Sequence, residues 1–108
     1  YITKNDKRLT GSGRNPTDVW YFNRVNNVTK KKFNLKHPTI YPADMIERII
    51  LMASNENDVV LDPFLGSGTT VAVALKLNRK GIGFEIDENY KEEIKSRIEN
   101  IQTQLVLK

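Results

Sequence analysis

The second half of the chain alternates between helical and extended hydrophobic patterns. From Pro42, a residue suited to the first turn of a helix, Ile46, Ile49, Ile50 and Ala53 recur at i, i+3, i+4 and i+7. That spacing predicts an amphipathic helix running to about Ser54. After the polar turn of Asn55 to Asn57, the unbroken apolar run Val59, Val60, Leu61 ends at Asp62, as expected of a parallel strand buried on both faces. Residues 63–68 read as a loop. Thr69 to about Leu77 reads as a helix with Val71, Ala72, Ala74 and Leu75 inward, closed by Asn78 and Arg79. Between Gly81 and Ile86, the residues Ile82, Phe84 and Ile86 alternate with small or polar neighbours, which predicts a second strand. A last helix from Glu88 to about Gln104 carries Tyr90, Ile94, Ile98, Ile101 and Leu105 on one stripe. The fold class is α/β: a βαβ unit with flanking helices, whose crossover should be right-handed.

The N-terminal third lacks this regularity. Gly11 to Asn15 is loop-like. Asp18 to Val25 predicts one strand, with Val19, Tyr21 and Val25 on one face and Trp20 and Phe22 on the other. Asn26 to Leu35 has no period and carries Lys30, Lys31 and Lys32, so a surface loop is expected there.

At 108 residues, with 39% hydrophobic and 28% charged positions, the chain suits one globular domain and no more. The absence of cysteine removes disulfide frameworks, thiolate zinc sites and thiol nucleophiles, and suits a reducing cytosol. The longest apolar runs, Ile49 to Ala53 and Val71 to Leu75, fall far short of the roughly 20 residues of a membrane span. A start at Tyr1, with no signal segment, suggests an excerpt of something longer.

Charge divides the chain more sharply than its total of +4. Residues 1–36 hold nine Lys or Arg against Asp6 and Asp18, whereas residues 37–108 carry a small acidic excess. The basic stretch is interleaved with Trp20, Tyr21, Phe22 and Phe33, the composition of a polyanion-binding face or of a solvated basic surface. Two parts result: a basic strand and loop segment over 1–36, and the βαβ unit with its flanking helices over 37–108.

The chemistry concentrates in Asp62-Pro63-Phe64-Leu65-Gly66-Ser67-Gly68-Thr69-Thr70 and in Glu85. Ligands of open parallel sheets sit outside the carboxyl ends of the strands, and Asp62 and Glu85 both lie at such ends, facing one pocket. Gly66 and Gly68 let the backbone turn tightly near a ligand, and the amides opening the next helix favour an anionic group. Glu85 follows Gly66 by nearly the spacing of about 20 residues at which an acid accepts hydrogen bonds from ribose hydroxyls. An adenosine-containing ligand is implied. Val71 stands where a dinucleotide fingerprint needs its third small residue, and no Lys lies between Asp58 and Leu75 to make a triphosphate loop. Asp62 would repel a pyrophosphate but pair with an ammonium or lie near a sulfonium, and S-adenosylmethionine carries both cations.

These blocks resemble a known family. His37-Pro38-Thr39-Ile40-Tyr41-Pro42, the Asp62 to Thr70 block and Gly81-Ile82-Gly83-Phe84-Glu85 are similar to motifs X, I and II of the amino-methylating DNA methyltransferases of restriction-modification systems, in the permuted order of the beta class. Asn15-Pro16-Thr17-Asp18-Val19-Trp20 is similar to a segment preceding motif X. The resemblance covers roughly Gly11 to Asn100 and implies a partial Rossmann-like methyltransferase fold enclosing S-adenosylmethionine.

Carried over by position, Asp62 would meet the amino end of the methionine moiety. Gly66, Ser67 and Gly68 would pass under the cofactor, with Pro63 beside them and Thr69 and Thr70 at the helix start. Glu85 would hold the ribose, His37, Pro38 and Thr39 would wall the methionine side, and Phe64, Phe84 or Ile86 would pack on the adenine. The basic residues Arg14, Arg24, Lys30, Lys31, Lys32 and Lys36 would contact phosphates of double-stranded DNA.

One departure matters. The family's catalytic tetrapeptide, an Asp, Asn or Ser followed by Pro-Pro and an aromatic residue, is missing, because Pro16, Pro38, Pro42 and Pro63 are nowhere adjacent. That element polarises the amino group of a flipped-out base, so no catalytic residue or metal ligand is assigned here. The resemblance therefore implies the cofactor-binding portion of an enzyme methylating adenine, with cytosine as second choice. It would work with a missing N-terminal part or a partner chain bearing the tetrapeptide, as a homodimer or otherwise, in a prokaryotic cytoplasm at the nucleoid. A non-catalytic cofactor- or DNA-binding subunit is the alternative. Two strands would leave an open sheet edge, so the chain alone should be marginally stable or prone to associate.

Overall fold

The computed structural model describes residues 17–26, 31 and 40–106. Along the chain run α1 (Ala43–Ala53), β1 (Val59–Asp62), α2 (Thr69–Lys76), β2 (Lys80–Gly83), a 3-10 turn (Glu88–Tyr90) and α3 (Lys91–Val106). β1 and β2 pair in parallel, with Val59 opposite Lys80 and Asp62 opposite Gly83, and α2 makes the crossover between them. The α/β class and the βαβ unit are those expected from the hydrophobic pattern.

α2 is the centre of the packing. It touches both strands, α1 and α3, so Val71, Ala72, Val73 and Ala74 are all buried, and a helix so enclosed is apolar on more than one face. Its small side chains admit close neighbours: Ile50 of α1 joins Val73 and Ala74, with Ile46, Val60 and Leu77 packed against them. The predicted stripe of α1 is narrower than its spacing suggested, since Ile50 is buried while Ile49 and Ala53 are exposed.

Four expectations need correction. β1 is not buried on both faces: Val59 and Leu61 are 57% and 59% exposed, and Ile82 and Phe84 of the second-strand region lie open at 49% and 62%. Among the described residues, helices cover only the face carrying Val60 and Gly81. The second strand is Lys80–Gly83 rather than 81–86, because the ladder runs out with β1: Phe84 N donates to the Asp62 carbonyl at 3.0 Å, and the next bond to the Phe84 carbonyl comes from Leu65 in the loop. No strand forms over 18–25. There the segment is anchored by side chains instead, with Trp20 edge-on to Phe22 at 6.3 Å and the Arg48 guanidinium of α1 4.9 Å from the Trp20 ring centroid. Lys31, expected in a loop, is helical and exposed. No helix among the described residues is long and apolar enough to cross a membrane.

Candidate functional site

The segment from Asp62 to Thr70 folds into a turn that leaves the end of β1 and enters α2 directly. Gly66 and Gly68 take φ of +58° and +90°, a left-handed backbone that side chains other than glycine rarely adopt. Asp62 holds the turn from its base: one carboxylate oxygen accepts from the Phe64 amide at 3.0 Å and the other from the Thr70 hydroxyl at 2.6 Å. A carboxylate accepting at both oxygens is fixed in orientation yet keeps further lone pairs for a ligand cation.

Glu85, expected at the end of the second strand, lies two residues past β2 and closes the turn from that side. Its Oε2 accepts from the Gly66 amide at 2.7 Å, across 19 residues of sequence, and its Oε1 accepts from the Asp87 amide at 3.0 Å. The Leu65 amide donates to the Phe84 carbonyl at 2.8 Å, so the loop and the end of β2 are joined by backbone as well. Next to this junction Phe64, Phe84 and Ile86 expose 88%, 62% and 99% of their surface, an apolar rim beside the Glu85 carboxylate. A groove of about 560 Å³ runs from Leu65, Gly83 and Glu85 along Ile94 and Ile98 of α3. Asp62 is not among the residues lining it, so the two acids flank the loop rather than share that groove.

Ser67 and Thr69 are buried, and their side chains turn away from the loop's open side toward α3. The Arg97 guanidinium donates through Nη1 to the Ser67 carbonyl (3.2 Å), the Ser67 hydroxyl (3.2 Å) and the Thr69 hydroxyl (2.9 Å). Burial pushes this guanidinium below its ordinary pKa, while the charge of Glu93 acts in the opposite direction. Ser67 and Thr69 therefore offer a ligand their backbone only. Sequence reasoning missed Arg97. The signal was its position, three residues after Ile94 and four before Ile101, which places a cation on the apolar stripe of α3.

The structure thus brings Asp62, Pro63, Phe64, Gly66, Ser67, Gly68, Thr69, Thr70, Glu85 and Ile86 to one end of the βαβ unit. His37, Pro38, Thr39, Arg14, Lys30, Lys32 and Lys36 lie outside the described residues, and Arg24 and Lys31 are exposed. Among the described residues no group of three His, Cys, Asp or Glu side chains could hold a metal ion.

Comparison with known proteins agrees with this layout. The N6/N4 DNA methylase family model matches residues 2–96. The type II methyltransferase M.BglII of Bacillus subtilis is 50% identical over 91 residues, which cover 81% of this chain and 25% of that protein. The DNA adenine methyltransferase YhdJ of Escherichia coli is 49% identical over 75 residues, covering 69% of this chain and 25% of its own length. The crystal structure of M1.HpyAVI in complex with SAM superimposes with a TM-score of 0.56 and 45% identity, over 57% of this chain and 31% of that one. The chain spans about a quarter of the length of these two curated relatives. With residues 2–96 matched by the family model, nearly the whole length, the chain belongs to the N6/N4 DNA methylase family.

Proposed function

We propose that this chain is the S-adenosylmethionine-binding portion of a site-specific DNA methyltransferase acting on the exocyclic amino group of adenine, with cytosine as the second choice. The observation that carries the reading is the Glu85 carboxylate bonded to the Gly66 amide, which sets a ribose acceptor against the glycine turn and beside the exposed Phe84 and Ile86. Each Glu85 oxygen accepts one amide and keeps a lone pair for a ribose hydroxyl, and Asp62 likewise for an ammonium. Carboxylates on both sides of the turn suit a cationic ligand and oppose a pyrophosphate. When bound, the cofactor supplies an electrophilic methyl group; this chain's residues bind and orient it.

Residues 37–108 form this cofactor unit, and His37, Pro38 and Thr39 would wall its methionine side. Residues 1–36 would lie along duplex DNA through Arg14, Arg24, Lys30, Lys31, Lys32 and Lys36. Replacing Lys30, Lys31 and Lys32 by Ala should make the logarithmic salt slope of duplex binding shallower by about 0.9 per lost phosphate contact; an unchanged slope removes those lysines from the interface. The Pro-Pro tetrapeptide would come from the rest of the enzyme or from a partner chain, in a prokaryotic cytoplasm at the nucleoid. The alternative reading is a subunit that binds cofactor or DNA without catalysing.

Calorimetric titration tests the cofactor. S-adenosylmethionine should bind in preference to NAD, and Glu85→Ala should cost roughly 1–3 kcal/mol, the scale of leaving polar groups unpaired. Equal affinity for NAD, or no loss in the variant, overturns the assignment. Labelled methyl transfer to DNA should be absent with the chain alone and appear when the tetrapeptide-bearing part is added; restoration separates a half-enzyme from a non-catalytic subunit.

A further inference from the structure

The glycine turn is shaped from the front by acids and held from behind by one cation. Arg97 lies on α3, 30 residues from Ser67, and its Nη1 reaches three oxygens of the segment between Gly66 and the first residue of α2. Two facts make this an unfavourable place for a guanidinium taken alone. It stands at the N-terminal, positive end of a helix dipole, and burial lowers its pKa. Such a cation persists where its hydrogen bonds define a geometry the surroundings need. The geometry in question is Ser67, the one residue between two left-handed glycines.

We propose that Arg97 is a positioning residue for the cofactor turn, setting the orientation of the Gly66 to Thr69 backbone before any ligand arrives. This rests on the cofactor reading above. Glycines at both sides of Ser67 give the free turn many conformations, and ordering them on binding would weaken affinity. The three bonds from Arg97 impose that order in advance. α3 acts as a backing plate: a side chain on Gly68 would already lie 3.4 Å from Ile94. No ligand contact by Arg97 is needed, since it acts on the side of the turn that faces α3.

The matched control is Arg79, buried where Arg97 is half-buried, whose guanidinium bonds Ser54 and the Leu77 carbonyl at the far end of α2. Titration of the full chain with S-adenosylmethionine, well below each variant's melting point, should show Arg97→Met binding about ten-fold more weakly or worse, and Arg79→Lys within about two-fold of the unsubstituted chain. Arg97→Lys, which keeps the charge and three donors but loses reach, should fall between them and replaces Arg97→Met if that variant does not fold.

Amide hydrogen exchange without ligand gives a second readout. Gly66 and Gly68 should exchange faster in the Arg97 variants, with the α1 amides unchanged. Equal weakening by Arg97 and Arg79 variants, or unchanged exchange at the turn, overturns the proposal. If the unsubstituted chain binds no S-adenosylmethionine, the cofactor reading falls and the exchange pattern decides: acceleration confined to the turn supports Arg97 as its pin, and uniform acceleration refutes it.

Discussion

At its C-terminal end α2 stops on backbone bonds. The Asn78 amide donates to the Leu75 carbonyl and the Arg79 amide to the Ala74 carbonyl, the paired bonds of a Schellman motif, with Asn78 left-handed at φ +62°. Arg79 then ties the end to Ser54, past the end of α1, and its positive charge lies where the helix field welcomes it. At the N-terminal end the left-handed residue is Gly68, no side chain caps the helix, and the half-buried Arg97 sits against the field. The two ends use one residue type for two purposes. Where the helix closes on a Schellman motif, the arginine completes a wall between elements; where the helix begins on an open turn, the arginine fixes a shape that something else is to use. Unfavourable electrostatics at a cation that gives three hydrogen bonds to one turn is the mark of the second kind.

The comparison breaks most visibly at Arg79. Arg79→Met leaves the Ser54 carbonyl, the Ser54 hydroxyl and the Leu77 carbonyl without their donor, which should lower unfolding free energy by roughly 2–4 kcal/mol. Urea unfolding followed by circular dichroism measures it. In a chain whose sheet leaves Val59, Leu61, Ile82 and Phe84 open, that is a large share of the total. A loss below about 1 kcal/mol would mean that the two ends are not held by arginine in any comparable way.

The same two ends differ in how much of them could be read from sequence. The turn was legible because its chemistry is local: Asp62, the Gly-x-Gly and Glu85 announce themselves by type and spacing, and β1 begins and ends where its apolar run does. Asn78 and Arg79 were legible as a helix stop, but not Arg79 as a bridge to Ser54, 25 residues away. Arg97 was hidden among the charged residues of α3, since an arginine on an apolar stripe declares its partner only when the facing loop is in place. The aromatic segment 18–25 alternates like a strand, yet a strand needs a neighbour to pair with, and Trp20 found Arg48 instead. β2 ends at Gly83, the partner of Asp62, because the ladder's length is set by β1, which alternation in 81–86 could not reveal.

The smallest expected effect sharpens the contrast between the left-handed residues. Asn78 sits at φ +62°, where asparagine is tolerated and alanine is strained, and its carbonyl accepts from the Asn57 amide at 2.8 Å whatever the side chain. Asn78→Ala should therefore destabilise by about 1 kcal/mol and Asn78→Gly should be neutral to within a few tenths, about the cost of the left-handed backbone alone. Neither should alter S-adenosylmethionine binding, because this end of α2 contributes nothing to the Asp62 to Thr70 turn. Urea midpoints give the first quantity and calorimetry the second. If Asn78→Ala weakened the ligand as well as the fold, the helix would be transmitting strain from one end to the other, and the division of labour between its two arginines would have to be abandoned.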